Sequence, residues 1–279
     1  MNTNAESCYK NLPLANEDGI PVFSKTDSYI ENYDRISEDH LKHYNATGHN
    51  PFMQEDHWEQ IEKSTEELIN KYATEAGTKI LDIGVGMGRL LERFPNFSRF
   101  GIDISHGYLK QAKNKGIEVC MSRIEDMPYK ERYFDVVATT DVLEHVLDLN
   151  LAISKILNVV KEEGIIVIRV PYKEDLKKYL HPDFPYRLAH LRNFDEDSLR
   201  ILFEKIFNIQ VLEWNLTGYR GGIFRVGANF RYYAGILRRL LNLVGKFNHN
   251  ICDYMAQRLC YPSEINMVIR NSKKNSCEP

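Results

Sequence analysis

An α/β fold with a doubly wound, largely parallel sheet is predicted by three features of the 279-residue chain. Short apolar runs near 79–83, 99–103, 117–121, 134–139, 164–170 and 207–215 alternate with helical stretches near 87–94, 105–115, 148–161 and 195–206. That alternation builds parallel strands joined by crossover helices. The first run passes through an acid, Asp82, into a glycine turn, Gly84-Val-Gly-Met-Gly88, and then a helix. The second run ends in another acid, Asp103. Ligands of such sheets gather at the carboxyl ends of the strands, so function is sought in the loops that follow them.

Residues 1–53 hold Asn, Asp, Gly and Pro clusters without a clear period and read as an extended, partly ordered arm or lid. Over 54–75, Trp58, Ile61, Leu68, Ile69 and Tyr72 fall near helical spacing, which predicts a helix leading into the first strand. The core then runs from 54 to 216, and Asp195 is the expected N-cap of its last helix. Residues 217–262 carry seven bases against one acid. There Phe230, Tyr233, Leu237, Leu240, Leu241 and Val244 form an apolar stripe, with Arg231, Arg238, Asn242 and Lys246 largely opposite and Arg239 on the flank. This reads as a basic helical insert, with a second helix over 248–259. Such a helix suits either an anionic membrane surface or packing against the domain or a partner copy. Residues 263–279 supply a final strand near 264–270 and a tail.

Composition narrows the options. No apolar run approaches the ~20 residues that span a bilayer, and the first residues have no basic region or apolar core of a secretory signal. Five scattered cysteines without paired spacing read as reduced thiols, so the expected setting is cytoplasmic, with peripheral contact at the inner face of a membrane as the role for the insert. A net charge of −3 argues against a broad nucleic-acid surface.

The glycine turn decides the cofactor. A dinucleotide fold wants Gly-x-Gly-x-x-Gly, and here that third position is Arg89. Asp-x-Gly-x-Gly-x-Gly over 82–88 instead resembles the first motif of the class I S-adenosylmethionine (SAM) methyltransferases. Phe100–Ile104 with Asp103, Phe134–Val146 and Gly164–Pro171 resemble that family's later motifs, in its order, over roughly 75–215. The resemblance implies a Rossmann-like seven-stranded sheet with an antiparallel last strand, here Glu264–Ile269. It implies that Gly84, Gly86 and Gly88 present backbone to the methionine end of SAM, that Asp82 orders the loop or reaches the ammonium, and that Asp103 holds the ribose. In the adenine segment, Ser122–Tyr129, Arg123 stands where the family often has an acid. Arginine only donates, so Glu125 or Asp126 substitutes, or the backbone around Ile124 reads the ring. A further likeness, of Asp18–Phe23 to the end of a small zinc-ribbon module, lacks the zinc cysteines.

Methyl transfer from a sulfonium needs alignment and, for a hydroxyl acceptor, a base. His145 and His190 sit in loops at the expected ligand end and are the candidate catalytic residues. Asp141-x-x-Glu144-His145 with His190 also resembles the acid-x-x-Glu-His…His set of metal-assisted O-methyltransferases of ubiquinone pathways and small-RNA 2′-O-methylation, with Asp141 where Glu is more usual. That resemblance implies a divalent cation such as Mg held by Asp141, Glu144, His145 and His190. Tyr29 and Tyr33 of the arm are candidates to cover SAM, and residues 172–190 to wall the acceptor. The expected activity is transfer to a hydroxyl of a small-molecule, sugar or lipid-linked acceptor. An RNA methyltransferase or a non-catalytic SAM-binding scaffold are the alternatives, and the oligomeric state is open.

Overall fold

The computed structural model describes residues 7–221, 224–225 and 231–273, and in it nine strands make one mixed sheet. They are β1 (Ala15–Glu17), β2 (Ile20–Val22), β3 (Lys79–Ile83), β4 (Ser98–Asp103), β5 (Glu118–Met121), β6 (Phe134–Thr140), β7 (Val160–Pro171), β8 (Ile209–Thr217) and β9 (Glu264–Lys273). Their spatial order is β1-β2-β5-β4-β3-β6-β7-β9-β8. Strands β5, β4, β3, β6 and β7 pair in parallel, and β9 runs antiparallel between β7 and β8. The seven expected strands are all present. Two more come from the arm, where Asp18 (φ 52°) and Gly19 (φ 74°) close a tight hairpin whose second strand joins the sheet edge at Val22–Met121.

The central strand shows why the alternation was a good guide. Ile80, Leu81 and Ile83 of β3 are fully buried, because helices cover both faces of a parallel sheet. Those helices are α1 (Ser28–Thr47), α2 (Glu55–Tyr72), α3 (Arg89–Glu92), α4 (His106–Asn114), α5 (Leu149–Val159) and α6 (Glu196–Arg200), which continues as a π-helical turn through Ile206. Asp195 caps α6 in a reciprocal capping box with Ser198. The helix after the glycine turn stops early, since Pro95 disfavours helical backbone at Phe94.

The arm departs from the extended reading. Asp27 caps a 20-residue helix through the Tyr29 and Ile30 amides, and Gly48 (φ 71°) ends it. Helix α2 presents Glu55, Glu59, Glu62 and Glu66 along one face to Arg89 and Arg93, with contacts of 2.8 Å at Glu55–Arg89 and Glu66–Arg93. This acidic ladder fixes the helix that follows the glycine turn.

The insert forms α7 (Arg231–Phe247) and α8 (His249–Leu259). Leu241 is buried against Cys252, Ala256 and Cys260, with Leu237 and Val244 packed alongside. Leu240 of the expected stripe points outward at 50% exposure. Phe230 and the side chains of Arg231 and Tyr233 lie outside the described residues. Among the described residues no helix is long and apolar enough to cross a membrane. Cys8, Cys120, Cys252 and Cys260 are free and buried, and Cys277 lies outside the described residues.

Gly88 tests the packing of the turn. Its φ is +78°, and a Cβ there would come within 2.5 Å of Ile117 and 3.3 Å of the Ala112 backbone. We expect Gly88→Ala to cost about 3 kcal/mol, seen in a thermal melt as a Tm lower by about 5–10 °C. An unchanged Tm would mean the turn is not held as described.

Candidate cofactor and acceptor site

The glycine turn is anchored from one side only. The Gly84 and Val85 amides donate to the Ile102 carbonyl at 2.8 and 3.0 Å, and the Gly88 amide donates to the Val85 carbonyl at 2.8 Å. Gly84, Gly86 and Gly88 all have positive φ. Their surroundings differ: Gly84 faces Val142 and Gly88 faces α4, whereas a Cβ on Gly86 would meet nothing closer than 4.0 Å. Gly86 is therefore the glycine whose open side a ligand can approach.

Two acids flank the turn. Asp82 is 2% exposed, and its Oδ1 has no hydrogen-bond partner. Burial holds its carboxyl well above the usual range. Asp103 accepts from the Gly86 amide (2.9 Å) and the Ser105 amide (2.9 Å). Burial pushes its carboxyl up to about 6 against the pull of those donors. Beyond it, Ile102, Ile104, Ile124 and Val146 line a cavity of about 60 Å³ that Tyr29 and Arg123 close.

Arg123 explains its own departure from the family pattern. Its guanidinium pairs with Asp27, the cap of α1, and lies 5.2 Å from the Tyr29 ring centre. Its backbone amide donates to Ser24 Oγ (2.8 Å), and Ser24 donates to Asp126 (2.7 Å). Asp126 is thereby occupied, and Glu125 is the acid that lines the cavity. The residue that could not read adenine fastens the arm over the pocket.

Past the turn, the loop after β6 carries the candidate chemistry. Arg192 donates to the carbonyls of Leu143 (2.9 Å) and Val146 (2.5 Å), and the Leu191 amide donates to that of Glu144 (2.8 Å). These contacts bind residues 143–146 to the segment that bears His190. Glu144, His145 and His190 each bring a ligand atom within 4.8 Å of the others. Glu144 is fully buried with both oxygens unpartnered, and burial raises its carboxyl strongly. His145 Nδ1 meets the Tyr33 hydroxyl at 3.1 Å, and burial with His190 opposite lowers its imidazole to about 3. His190 Nδ1 lies 2.5 Å from Glu174, whose other oxygen accepts from Tyr179 (2.8 Å) and Lys178 (2.6 Å). Burial alone would raise Glu174, yet the bonds from His190 and Lys178 hold it at about 2.

Asp141 stands apart from that cluster. It sits at φ 57°, and Arg169 grips both of its oxygens, at 2.6 and 3.3 Å. Arg169 is 3% exposed, so leaving it without this partner would strand a buried charge. The described ligand set is three residues. Sequence reasoning did not find Glu174, Arg169 or Arg192, because only the fold brings them to the motif.

A methyltransferase-domain family model matches residues 81–168. Over 98 residues the chain is 36% identical to a tRNA (carboxymethyluridine(34)-5-O)-methyltransferase of Arabidopsis thaliana, covering 34% of this chain and 24% of that protein. It is 32% identical over 99 residues to a ubiquinone biosynthesis O-methyltransferase of Nitrobacter winogradskyi, covering 33% and 38%. The chain carries a class I SAM-dependent methyltransferase domain. Its fold is also that of a chain from the complex between the Haloferax volcanii Trm112 methyltransferase activator and a methyltransferase, with TM-score 0.58 at 15% identity over 89% of this chain and 100% of that one. The chain spans less than two thirds of the length of the curated relatives it matches.

The methyltransferase domain fits its cofactor by chemistry. The unpartnered Asp82 oxygen suits a cationic methionine end, Gly86 leaves backbone bare, Asp103 offers a carboxylate for ribose hydroxyls, and isoleucines flank a flat ring.

Two measurements check this pocket. Below pH 6 Asp103 carries a proton and loses acceptor capacity, so S-adenosylhomocysteine affinity should rise through about pH 6 and then level. Asp103→Asn should flatten that step in calorimetry and weaken binding about 10- to 100-fold. Separately, Arg123→Ala should speed amide exchange in α1 and weaken cofactor binding with little change in global stability, because its partner Asp27 is half-exposed. Unchanged exchange in α1 would remove Arg123 as the fastening of the arm.

Proposed function

We propose that this methyltransferase domain moves the SAM methyl group to a hydroxyl of a small-molecule, sugar or lipid-linked acceptor, with His190 as its base. The observation that carries this is the Glu174–His190 pair at 2.5 Å. Glu174 takes the Nδ1 side, which leaves Nε2 free to meet an acceptor beside Glu144 and His145. The acceptor oxygen forms its bond to the methyl carbon, the sulfonium bond breaks to leave S-adenosylhomocysteine, and the acceptor proton passes to His190 Nε2. His145, held neutral, positions rather than carries a proton. The ubiquinone biosynthesis O-methyltransferase relative supports a small-molecule hydroxyl, whereas the tRNA (carboxymethyluridine(34)-5-O)-methyltransferase relative supports RNA as the alternative acceptor.

One observation favours a metal-assisted form of the same reaction. With Nδ1 of His145 and His190 both engaged, two Nε2 atoms and the unpartnered Glu144 oxygens remain. Two imidazoles and a carboxylate suit a transition ion such as Mn, Fe or Zn better than the Mg first expected, which prefers oxygen ligands. Bound there, such an ion would lower the acceptor's pKa. Glu174 would then orient a ligand histidine from behind.

Labelled SAM incubated with lipid, small-molecule and RNA fractions, with and without EDTA, separates the readings. We expect label outside RNA. His190→Ala should lose about 100-fold or more in turnover, and Glu174→Gln about tenfold or more, both with S-adenosylhomocysteine affinity unchanged. Turnover unaffected by His190→Ala would sink the assignment. EDTA inhibition reversed by Mn or Zn would select the metal form, and label confined to RNA would replace the acceptor class. Cofactor binding with no transfer into any fraction would point to a scaffold.

A further inference from the structure

We propose that the open face of α7 docks the protein on an anionic lipid bilayer. The proposal is independent of the acceptor, since it rests on the insert alone. Ile236, Leu240, Leu243 and Phe247 are 49%, 50%, 52% and 85% exposed. At about 100° per residue these positions fall within roughly 60° of arc, a single stripe along the helix. The stripe is not surplus core. Leu237, Leu241 and Val244, on the adjoining arc, already fill the contact with α8. The apolar arc of α7 is therefore about twice as wide as the fold uses.

Charge selects the occupant. Arg239 and Lys246 are exposed on one flank of the stripe, by the same helical geometry. On α8, Ile251 and Tyr254 are 52% and 55% exposed, and Arg258 lies 4.4 Å over the Tyr254 ring. The single acid within 217–262, Asp253, is spent internally on Arg220 (2.7 Å) and Gln60 (2.6 Å). Half-exposed large apolar side chains edged by cations, with no outward carboxylate from the insert among the described residues, match the acyl boundary and the phosphates of an interface. A helix of this pattern lies in the plane of the interface. A groove on a partner protein would take the stripe but gives no reason for the one-sided charge.

The test is co-sedimentation of the full chain with phosphatidylcholine vesicles, with and without phosphatidylglycerol, at low and high salt. We expect binding to the anionic vesicles that weakens with salt. Leu240→Asp with Phe247→Asp should abolish it. Arg239→Glu with Lys246→Glu should weaken it about tenfold or more on anionic vesicles only. All four positions are exposed, and unchanged S-adenosylhomocysteine binding confirms that each variant is folded. No binding to anionic vesicles at low salt overturns the proposal, as does binding that both double variants retain. A dimer in light scattering that Leu240→Asp with Phe247→Asp dissolves, without vesicle binding, would give the face to a second copy instead.

Discussion

A single buried guanidinium governs what the carboxyl end of the sheet can do. Arg169, on β7, lies among Asp82, Asp141, Glu62 and Glu264, all partly or wholly removed from water. Only Asp141 is bound to it, through both oxygens. A buried pair of this kind is costly to break, because either partner alone would be an uncompensated charge. Asp82, Glu144 and Glu264 are left to burial, which pushes all three carboxyls up. The result is a group of buried acids short of cations. It is suited to receive positive charge from a ligand, be it the methionine end of SAM or a metal ion, and the two sites share one electrostatic cause.

The strands and the glycine turn were legible because their signals are local. Apolar runs bounded by Gly84 and Asp103 report burial directly, and a positive φ at Gly86 leaves little choice of residue. The arm helix was missed for an equally local reason. Its buried positions are Ile30, Ser37 and His40, so its inner face is mostly polar. Ser37 meets Ser105 at 2.5 Å and His40 meets Tyr108 at 2.5 Å. A search for apolar periodicity passes over such a helix, although Asp27 and Gly48 mark its ends in the sequence.

The candidate site was legible only in part, and the boundary is instructive. His145 and His190 come together as their loops suggested, at 4.5 Å between ring centres. Asp141 has the right spacing for a ligand set, but a spacing rule sees neighbours in sequence. Its partner Arg169 stands 28 residues on, at the end of the next strand. Glu174 belongs to no motif at all and gains its role from the fold of 172–190 against His190. Tertiary pairing therefore sets Glu174 beside His190 and Arg169 on Asp141, neither of which sequence spacing reveals.

The arm's fastenings tie the cofactor pocket to the segment that bears His190. Tyr29 of the arm and Arg123 both line the cofactor pocket. What holds α1 down is the fully buried Ile30, the contacts of Ser37 with Ser105 and His40 with Tyr108, and a set of more exposed polar contacts. Arg123 pairs with a half-exposed Asp27, the Tyr33 hydroxyl donates to the Ala189 carbonyl at 3.1 Å, and Asn32 exchanges two 3.1 Å bonds with the Leu188 backbone. Contacts of this type contribute about 1 kcal/mol each at most when water can replace them. Because Asn32 and Tyr33 also hold residues 188–189, the arm cannot lift without releasing the backbone beside His190. The arm and the backbone beside His190 are in this way tied together.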